Sequence, residues 1–196
     1  LIMRVVGIIN PIVSKVTLPI MSKSKDDSFL LKAYYLNSVK YLALIVAPIF
    51  LFISLLSLPI VNVLFGQKWV DVVPVLQVLS FYGFFRAIGN PIGSLVLAKG
   101  RADIGFFWNL AMLFCVPLSI LCGSYMGLVG VSWALLGLAV ALKLPEYYLI
   151  TKPLCDAGFN EYLKSFSKPL LMVFIIGFVL LPLMSISNIF YMSASV

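Results

Sequence analysis

Long apolar runs with few polar positions dominate the pattern of this chain. Four stretches carry no charged residue at all, and they are residues 41–64, 104–122, 127–142 and 170–191. Each is close to the roughly 20 residues that an α-helix needs to cross about 30 Å of hydrocarbon. The runs do not alternate between apolar and polar positions, as the strands of a membrane barrel do. The pattern therefore predicts membrane-spanning helices.

These four runs, together with two apolar runs that hold only one or two charged residues, predict an all-α polytopic transmembrane bundle of six spans. The predicted spans are 1–21, 41–64, 73–98, 104–122, 127–150 and 169–191. The first run lacks an initiator methionine and already has the character of mid-helix, so we expect the chain to be part of a longer protein. The loop 22–40 is predicted to be a separate amphipathic helix at the membrane surface, with Phe29, Ala33 and Leu36 facing the lipid.

Composition agrees with a membrane environment. Hydrophobic residues make up 62% of the 196 residues and charged residues 11%, and the mean hydropathy is +1.11. A soluble domain is about 45–50% apolar and about 25% charged. A soluble fold of this length has too little interior to bury so much apolar surface.

The basic residues predict the orientation of the spans. The first, third and fifth loops hold nine of them, whereas the alternate loops hold only Lys68. The nine are Lys23, Lys25, Lys32, Lys40, Lys99, Arg101, Lys152, Lys164 and Lys168. Because cytoplasmic loops are enriched in Lys and Arg, these three loops are predicted to be cytoplasmic. The net charge of +7 then reflects topology and attraction to lipid headgroups, and a nucleic-acid partner is not expected.

The sequence offers little for metal or nucleophilic chemistry. It contains no His, and Cys115, Cys122 and Cys155 lack the spacing of a metal or redox site. The pair Asp26 and Asp27 has two interpretations, a metal-diphosphate enzyme motif or a helix cap, and the cap is favoured because no further carboxylates follow at helical spacing. No metal, no cofactor and no enzymatic activity are expected.

Arg86 is the most informative polar residue. It lies about twelve residues, or roughly 18 Å, from either end of its span, and a cation at that depth costs about 2.5–3.5 kcal/mol. Tyr82, Asn90 and three glycines (Gly83, Gly89 and Gly93) share its helical face. The opposite face, predicted to contact lipid, carries Phe81, Phe84, Ile88, Ile92 and Leu95.

Two interpretations of Arg86 stay open at this point. Pro91 and the nearby glycines favour an interrupted helix, and an interrupted span with a central charge is typical of a transporter binding region. Alternatively, Arg86 is structural and pairs with a carboxylate or carbonyl of another helix.

Other charged positions extend the candidate site. Arg4 falls on a polar face of the first span and joins Arg86, Asn90 and Tyr82 as a candidate for the substrate path. Lys99 and Arg101 are candidates for the cytoplasmic entrance. Lys143 and Glu146, three residues apart, form either an ion-coupling site or a structural pair.

A glycine pattern in the fifth span predicts helix packing. Gly127, Gly130 and Gly137 share one face, which favours close approach of a neighbouring helix.

Several motifs resemble one family of transporters. "LFGQKWVDVVPVLQVLS" followed by "GNPIGSLVLAKGRADIGFFWNL" resembles the C-terminal half of bacterial polysaccharide flippases of the lipopolysaccharide or colanic-acid exporter type. These belong to the multidrug/oligosaccharidyl-lipid/polysaccharide exporter superfamily. "INPIVSKVTLPIMSKSKDDSFLLKAYYLNSVKYLAL" resembles a cytoplasmic elbow of that family, and "GLVGVSWALL" resembles its glycine-rich span. On this resemblance, residues 1–196 are the C-terminal portion of the transmembrane domain.

The resemblance implies a two-lobed helical bundle that works by alternating access. It implies transport of a polyprenyl-diphosphate-linked oligosaccharide, such as an O-antigen or exopolysaccharide repeat unit, across the bacterial cytoplasmic (inner) membrane. Membrane lipids and other glycan-assembly membrane proteins are the further expected partners. Two alternatives stay open: a membrane-embedded polymerase or glycosyltransferase of glycan assembly, and a multidrug exporter of the same superfamily.

Overall fold

The computed structural model describes residues 1–172 and residue 175, and every regular element among them is helical. The elements are α1 (Ile2–Lys23), α2 (Ser28–Leu55), α3 (Ser57–Phe65), a 3₁₀ turn (Gln67–Val72), α4 (Val73–Ile88), α5 (Pro91–Ala98), α6 (Ala102–Ser124), α7 (Gly127–Ala141), α8 (Lys143–Glu146), a π-helical turn (Tyr147–Thr151) and α9 (Lys152–Cys155). Residues 159–172 form a further helical segment.

Five of the predicted spans correspond to helical stretches that are long and apolar enough to cross a membrane. These stretches are Ile2–Lys23, Ser28–Leu55, Gln67–Ala98, Ala102–Ser124 and Gly127–Cys155. The sixth predicted span, 169–191, lies outside the described residues except for its first few positions. The all-α polytopic prediction is confirmed for the part of the chain that the structure describes.

The second span begins earlier than the apolar run suggests. Asp27 caps α2, since its Oδ1 accepts hydrogen bonds from the backbone N–H groups of Phe29 and Leu30, both at 3.0 Å. From there the helix runs unbroken for 28 residues, or about 42 Å, which exceeds the hydrocarbon thickness of about 30 Å. The predicted span 41–64 is the C-terminal half of α2 together with α3.

The predicted surface helix at 22–40 is wrong as a separate element. Helix α1 ends at Lys23, and residues 28–40 are the first part of α2, one face of which packs against the protein. Leu31, Tyr35 and Val39 recur every four residues on one face and are buried. Phe29 is 74% exposed. The buried face shows that the core extends beyond the apolar run.

Helix contacts define one connected bundle. Helix α2 packs on α4, α4 on α7, and α7 on α6, while α1 lies along α4 and α5. Gly83 is at the α2–α4 crossing, where an added Cβ would lie 2.6 Å from the Phe50 ring and 2.7 Å from Ile2 Cγ2. Gly83 therefore serves helix packing instead of the polar face to which the helical wheel assigned it.

The predicted glycine face of α7 is confirmed at one of its three positions. Gly130 meets the backbone of Gly123 on α6, so that these helices touch along their main chains. Nothing lies within 4 Å of the position that a Cβ would take on Gly127 or Gly137. Close packing between α6 and α7 thus depends on Gly123 and Gly130.

The predicted lipid-facing side of the third span is wrong. Phe84, Ile88 and Leu95 are buried in the apolar core, as is Ile92. The helix that exposes its apolar side chains is α6, in which Gly123 is the one buried residue. Packing inside a membrane protein is as apolar as lipid, so an apolar face alone does not distinguish the two environments.

Three predicted cytoplasmic loops lie on the same side of the bundle. Lys99 Nζ donates to the Lys25 carbonyl at 2.7 Å, and Lys32 Nζ forms an ion pair with Glu161 at 2.9 Å. The hydrogen bond from Lys32 holds the pKa of the Glu161 carboxyl below its usual value. Deeper in, the Tyr35 hydroxyl lies 3.2 Å from the Thr151 hydroxyl. These contacts join the first, third and fifth loops, as the charge pattern requires.

Candidate functional site

The third span is broken at Gly89 and Asn90. Helix α4 ends at Ile88 and α5 begins at Pro91, because Pro91 lacks the N–H that would continue the α-helical hydrogen bonds. The Asn90 N–H bonds instead to the Ala87 carbonyl at 3.0 Å, closing a tight turn. The interruption that Pro91 and the glycines predict is therefore confirmed.

A cavity of about 580 Å³ opens beside this break. Its walls come from α1, α4, α5, α6, α7, α8 and the π-helical turn. Side chains that can hydrogen bond, carry charge or stack on a ring are concentrated there: Asn10, Tyr82, Phe85, Arg86, Asn90, Phe106, Trp108, Asn109, Lys143 and Glu146. A cavity of this size, with apolar walls and a few converging polar groups, has the dimensions of a ligand site.

Arg86 lines the cavity and is exposed to it. Among the described residues, no hydrogen-bond acceptor or carboxylate pairs with its guanidinium group. A structural arginine at this depth would need such a partner. Arg86 therefore stays a candidate for the substrate path.

Tyr82 and Asn90 line the same cavity, but they differ in their contacts. Tyr82 is 7% exposed and lies one helical turn before Arg86. The Asn90 amide donates to the Asn10 carbonyl at 3.0 Å and to the Ser14 hydroxyl at 3.4 Å, so it ties the broken span to α1. Together with the hydrogen bond from Thr17 to Ser94 at 2.8 Å, these contacts form a polar seam between α1 and α5.

Lys143 and Glu146 form a buried ion pair in the cavity wall. Lys143 Nζ lies 2.9 and 3.0 Å from the two carboxylate oxygens of Glu146, and the two side chains are 11% and 10% exposed. The Tyr162 hydroxyl donates to the same carboxylate at 3.4 Å. The pair sits against Gly89, where an added Cβ would be 3.1 Å from Lys143 Nζ.

The other predicted site residues lie outside this cavity. Arg4 is exposed on α1 and is not among the lining residues. Lys99 is bound to the Lys25 carbonyl. Arg101 forms a two-point interaction with the carboxylate of Asp103, with Nε–Oδ1 at 3.0 Å and Nη2–Oδ2 at 2.9 Å. Lys99 and Arg101 thus stand at the loop that follows α5, each with a partner.

Sequence reasoning missed the contribution of α6 to the cavity, and in α1 it chose Arg4 where Asn10 lines the wall. Trp108 and Asn109 enter it from α6, and Asn10 enters from α1, with its side-chain oxygen buried and unpaired among the described atoms. The signal for the first two is a polar and aromatic pair within an otherwise apolar run. Only the three-dimensional arrangement shows that this pair lines the same cavity as Arg86.

Comparison with known proteins agrees with the membrane architecture. Residues 1–74 match a family described as polysaccharide biosynthesis protein. Residues over 82% of the chain are 32% identical to the lipopolysaccharide biosynthesis protein WzxC of Escherichia coli K12. Over most of its length the chain is thus similar to polysaccharide biosynthesis proteins. The family resemblance is thereby confirmed, and with it the localisation as a multi-pass protein of the bacterial cytoplasmic membrane.

Further relatives extend the same pattern. The chain is 34% identical to the teichuronic acid biosynthesis protein TuaB of Bacillus subtilis 168 over 87% of its length. It is 27% identical to the amylovoran biosynthesis protein AmsL of Erwinia amylovora over 60% of its length. The chain spans only 33% of WzxC and 35% of TuaB. No solved structure matches it significantly.

Proposed function

We propose that the intact protein moves a polyprenyl-diphosphate-linked oligosaccharide across the cytoplasmic membrane by alternating access, and that this chain supplies its C-terminal lobe. Support comes from relatives named for the biosynthesis of lipopolysaccharide and teichuronic acid. It also comes from the broken span with a central charge beside a cavity, which is an arrangement that transporters use for substrate binding.

The observation that carries the proposal is the unpaired guanidinium of Arg86 in the cavity. Arginine binds phosphate through two parallel hydrogen bonds and keeps its charge when it is partly desolvated. A diphosphate headgroup is the part of the substrate that such a group would recognise. Trp108 lines the same cavity and is only partly buried, so it offers an aromatic face on which a sugar ring can stack, whereas Tyr82 is 7% exposed and forms part of the wall. The lipid tail would stay in the bilayer beside the helices.

The cytoplasmic loop after α5 would receive the headgroup first. Arg101 is exposed there and Lys99 is partly exposed. Their present partners are a solvent-exposed carboxylate and a backbone carbonyl. Surface contacts of this kind contribute little to stability, at about 0–1 kcal/mol. An incoming phosphate can therefore replace them at small cost.

The charges of the cavity favour this proposal over the two alternatives. Glu146 is the one carboxylate among the described lining residues, and Lys143 neutralises it. Enzymes of glycan assembly generally need acidic catalytic groups, and a multidrug exporter for cations needs negative charge. A cavity with two cations and one anion suits neither, so we propose transport of an anionic substrate without a chemical step.

The test compares export and stability in the same variants. Arg86→Ala should abolish export of surface polysaccharide in cells that depend on the intact protein, while the purified protein keeps its melting temperature. Arg86→Lys should restore export only in part, because lysine keeps the charge but loses the two-point contact. Arg4→Ala is the matched control, since it removes an exposed arginine of the same chain that does not line the cavity.

Two outcomes would contradict the proposal. Normal export by Arg86→Ala would remove Arg86 from the substrate path. Loss of export together with a collapse of expression and melting temperature would assign Arg86 a structural role instead, because removing one partner of a buried pair typically costs about 3–5 kcal/mol.

A further inference from the structure

A second cation lines the cavity, and it forms an ion pair with a carboxylate of the same wall. Of the three charged side chains among the described lining residues, Arg86 has no partner, whereas Lys143 is bound by Glu146. We propose that Lys143 is a second phosphate-binding group, which Glu146 holds while the cavity is empty and which moves to the anionic headgroup when substrate binds. This inference rests on the proposed function, and it assigns a specific role to a pair that the sequence leaves ambiguous.

At the helix break, the ammonium group of Lys143 lies close to the main chain of Arg86 and Gly89. Gly89 follows Arg86 by one helical turn, and Lys143 Nζ would lie 3.1 Å from a Cβ on Gly89. The Arg86 carbonyl oxygen is 3.5 Å from the same point. The absence of a side chain at Gly89 therefore lets the ammonium group rest against the end of α4. At that end the partial negative charge of the helix dipole also favours a cation.

The exchange leaves the Glu146 carboxylate with one hydrogen-bond donor. Oε1 of Glu146 also accepts a hydrogen bond from the Tyr162 hydroxyl at 3.4 Å, so the carboxylate keeps a donor when Lys143 turns away. Lysine is suited to such a movement, because its ammonium group is a compact charge on a flexible chain. A diphosphate linkage carries negative charge on both phosphates. Arg86 can neutralise one of them, and Lys143 supplies the second positive charge.

A purely structural pair would behave differently from a reserve phosphate ligand. If the pair only fixes α8 within the bundle, removing either partner lowers stability and leaves ligand affinity unchanged. If Glu146 restrains Lys143, the two single variants change affinity in opposite directions. Glu146→Gln frees the ammonium group while keeping the shape of the side chain and its contact with Tyr162, whereas Lys143→Gln removes the cation.

The experiment titrates the purified intact protein in detergent with farnesyl diphosphate and with farnesyl monophosphate by calorimetry. Glu146→Gln should bind the diphosphate about tenfold more tightly, and Lys143→Gln about tenfold more weakly, as expected for one charged hydrogen bond. Lys143→Gln should also lose most of the preference for diphosphate over monophosphate. The double variant should resemble Lys143→Gln, because Glu146 then has nothing to restrain.

The outcomes separate this inference from the proposed function. If the wild-type protein does not bind the diphosphate, or binds it equally well after Arg86→Ala, the proposed function fails and this inference fails with it. If binding depends on Arg86 but Glu146→Gln binds no more tightly and Lys143→Gln keeps the diphosphate preference, only the role of Lys143 is overturned. The preference is a ratio of two affinities of one sample, so a partly unfolded variant still gives a decisive value.

Discussion

The contact between α6 and α7 gives a quantitative test of the fold. A Cβ on Gly130 would lie 2.5 Å from Met126 Cβ and would press against the Gly123 carbonyl oxygen. Ordinary contact begins at 3.4 Å, and a backbone oxygen cannot turn aside as the end of a side chain can. Gly130→Ala must therefore push the two helices apart.

The expected cost follows from two opposing effects. Overpacking a tight contact costs about 1–3 kcal/mol, whereas alanine is favoured over glycine inside a helix by about 0.5–1 kcal/mol. With the middle of each range, the net loss for Gly130→Ala is about 1 kcal/mol in the free energy of unfolding. Gly137→Ala is the matched control on the same helix, because nothing lies within 4 Å of its added Cβ. It should gain about 0.5–1 kcal/mol.

Denaturant unfolding of the intact protein in detergent, followed by circular dichroism, measures both changes. The reasoning would be refuted if Gly130→Ala were as stable as the wild-type protein, or if both alanine variants shifted stability by the same amount. Either result would mean that α6 and α7 do not meet through their main chains.

Two further predictions concern topology and the polar seam. In intact cells with a background that lacks the native cysteines, Gln67→Cys should react with an impermeant thiol reagent and Arg101→Cys should not, because the charge pattern predicts that the basic loops are cytoplasmic. The reverse labelling would invert the orientation. Asn90→Ala should lower the free energy of unfolding by about 1 kcal/mol, since it loses its hydrogen bonds to α1. Asn109→Ala is its control, because that amide bonds within its own helix to the Gly105 carbonyl at 2.8 Å, and equal losses in both variants would speak against the seam.

The apolar runs predicted where helices lie, because hydrocarbon thickness sets a minimum length that few other constraints override. They failed at the start of α2. Leu31 and Tyr35 sit among lysines and a serine, so their burial depends on neighbours that are distant in sequence. The cap at Asp27 marks the start of α2 correctly. The length of an apolar run carries no information about that cap.

The site was predictable in part for a similar reason. Arg86, Pro91 and the glycines predict the break because their chemistry is local. The helical wheel separated two faces of the span, but it could not tell which face meets protein, and Phe84 and Leu95 proved to be buried. Whether Trp108 and Arg4 face the cavity depends on how α6 and α1 are rotated about their axes in the bundle. The sequence of a single helix does not determine that rotation.

The hydroxyl contact between Tyr35 and Thr151 bears on how the chain is made. Its two residues are 116 positions apart, and ribosomes add about 5–20 residues per second, so Tyr35 emerges about 6 to 23 seconds before its partner. For most of that interval α2 is complete and long enough to insert, yet the hydroxyl that ends up fully enclosed has to be satisfied by water or lipid headgroups. The N-terminal end of α2 can therefore reach its final packing only after the fifth span has been synthesised, which makes this end one of the last parts of the described bundle to close.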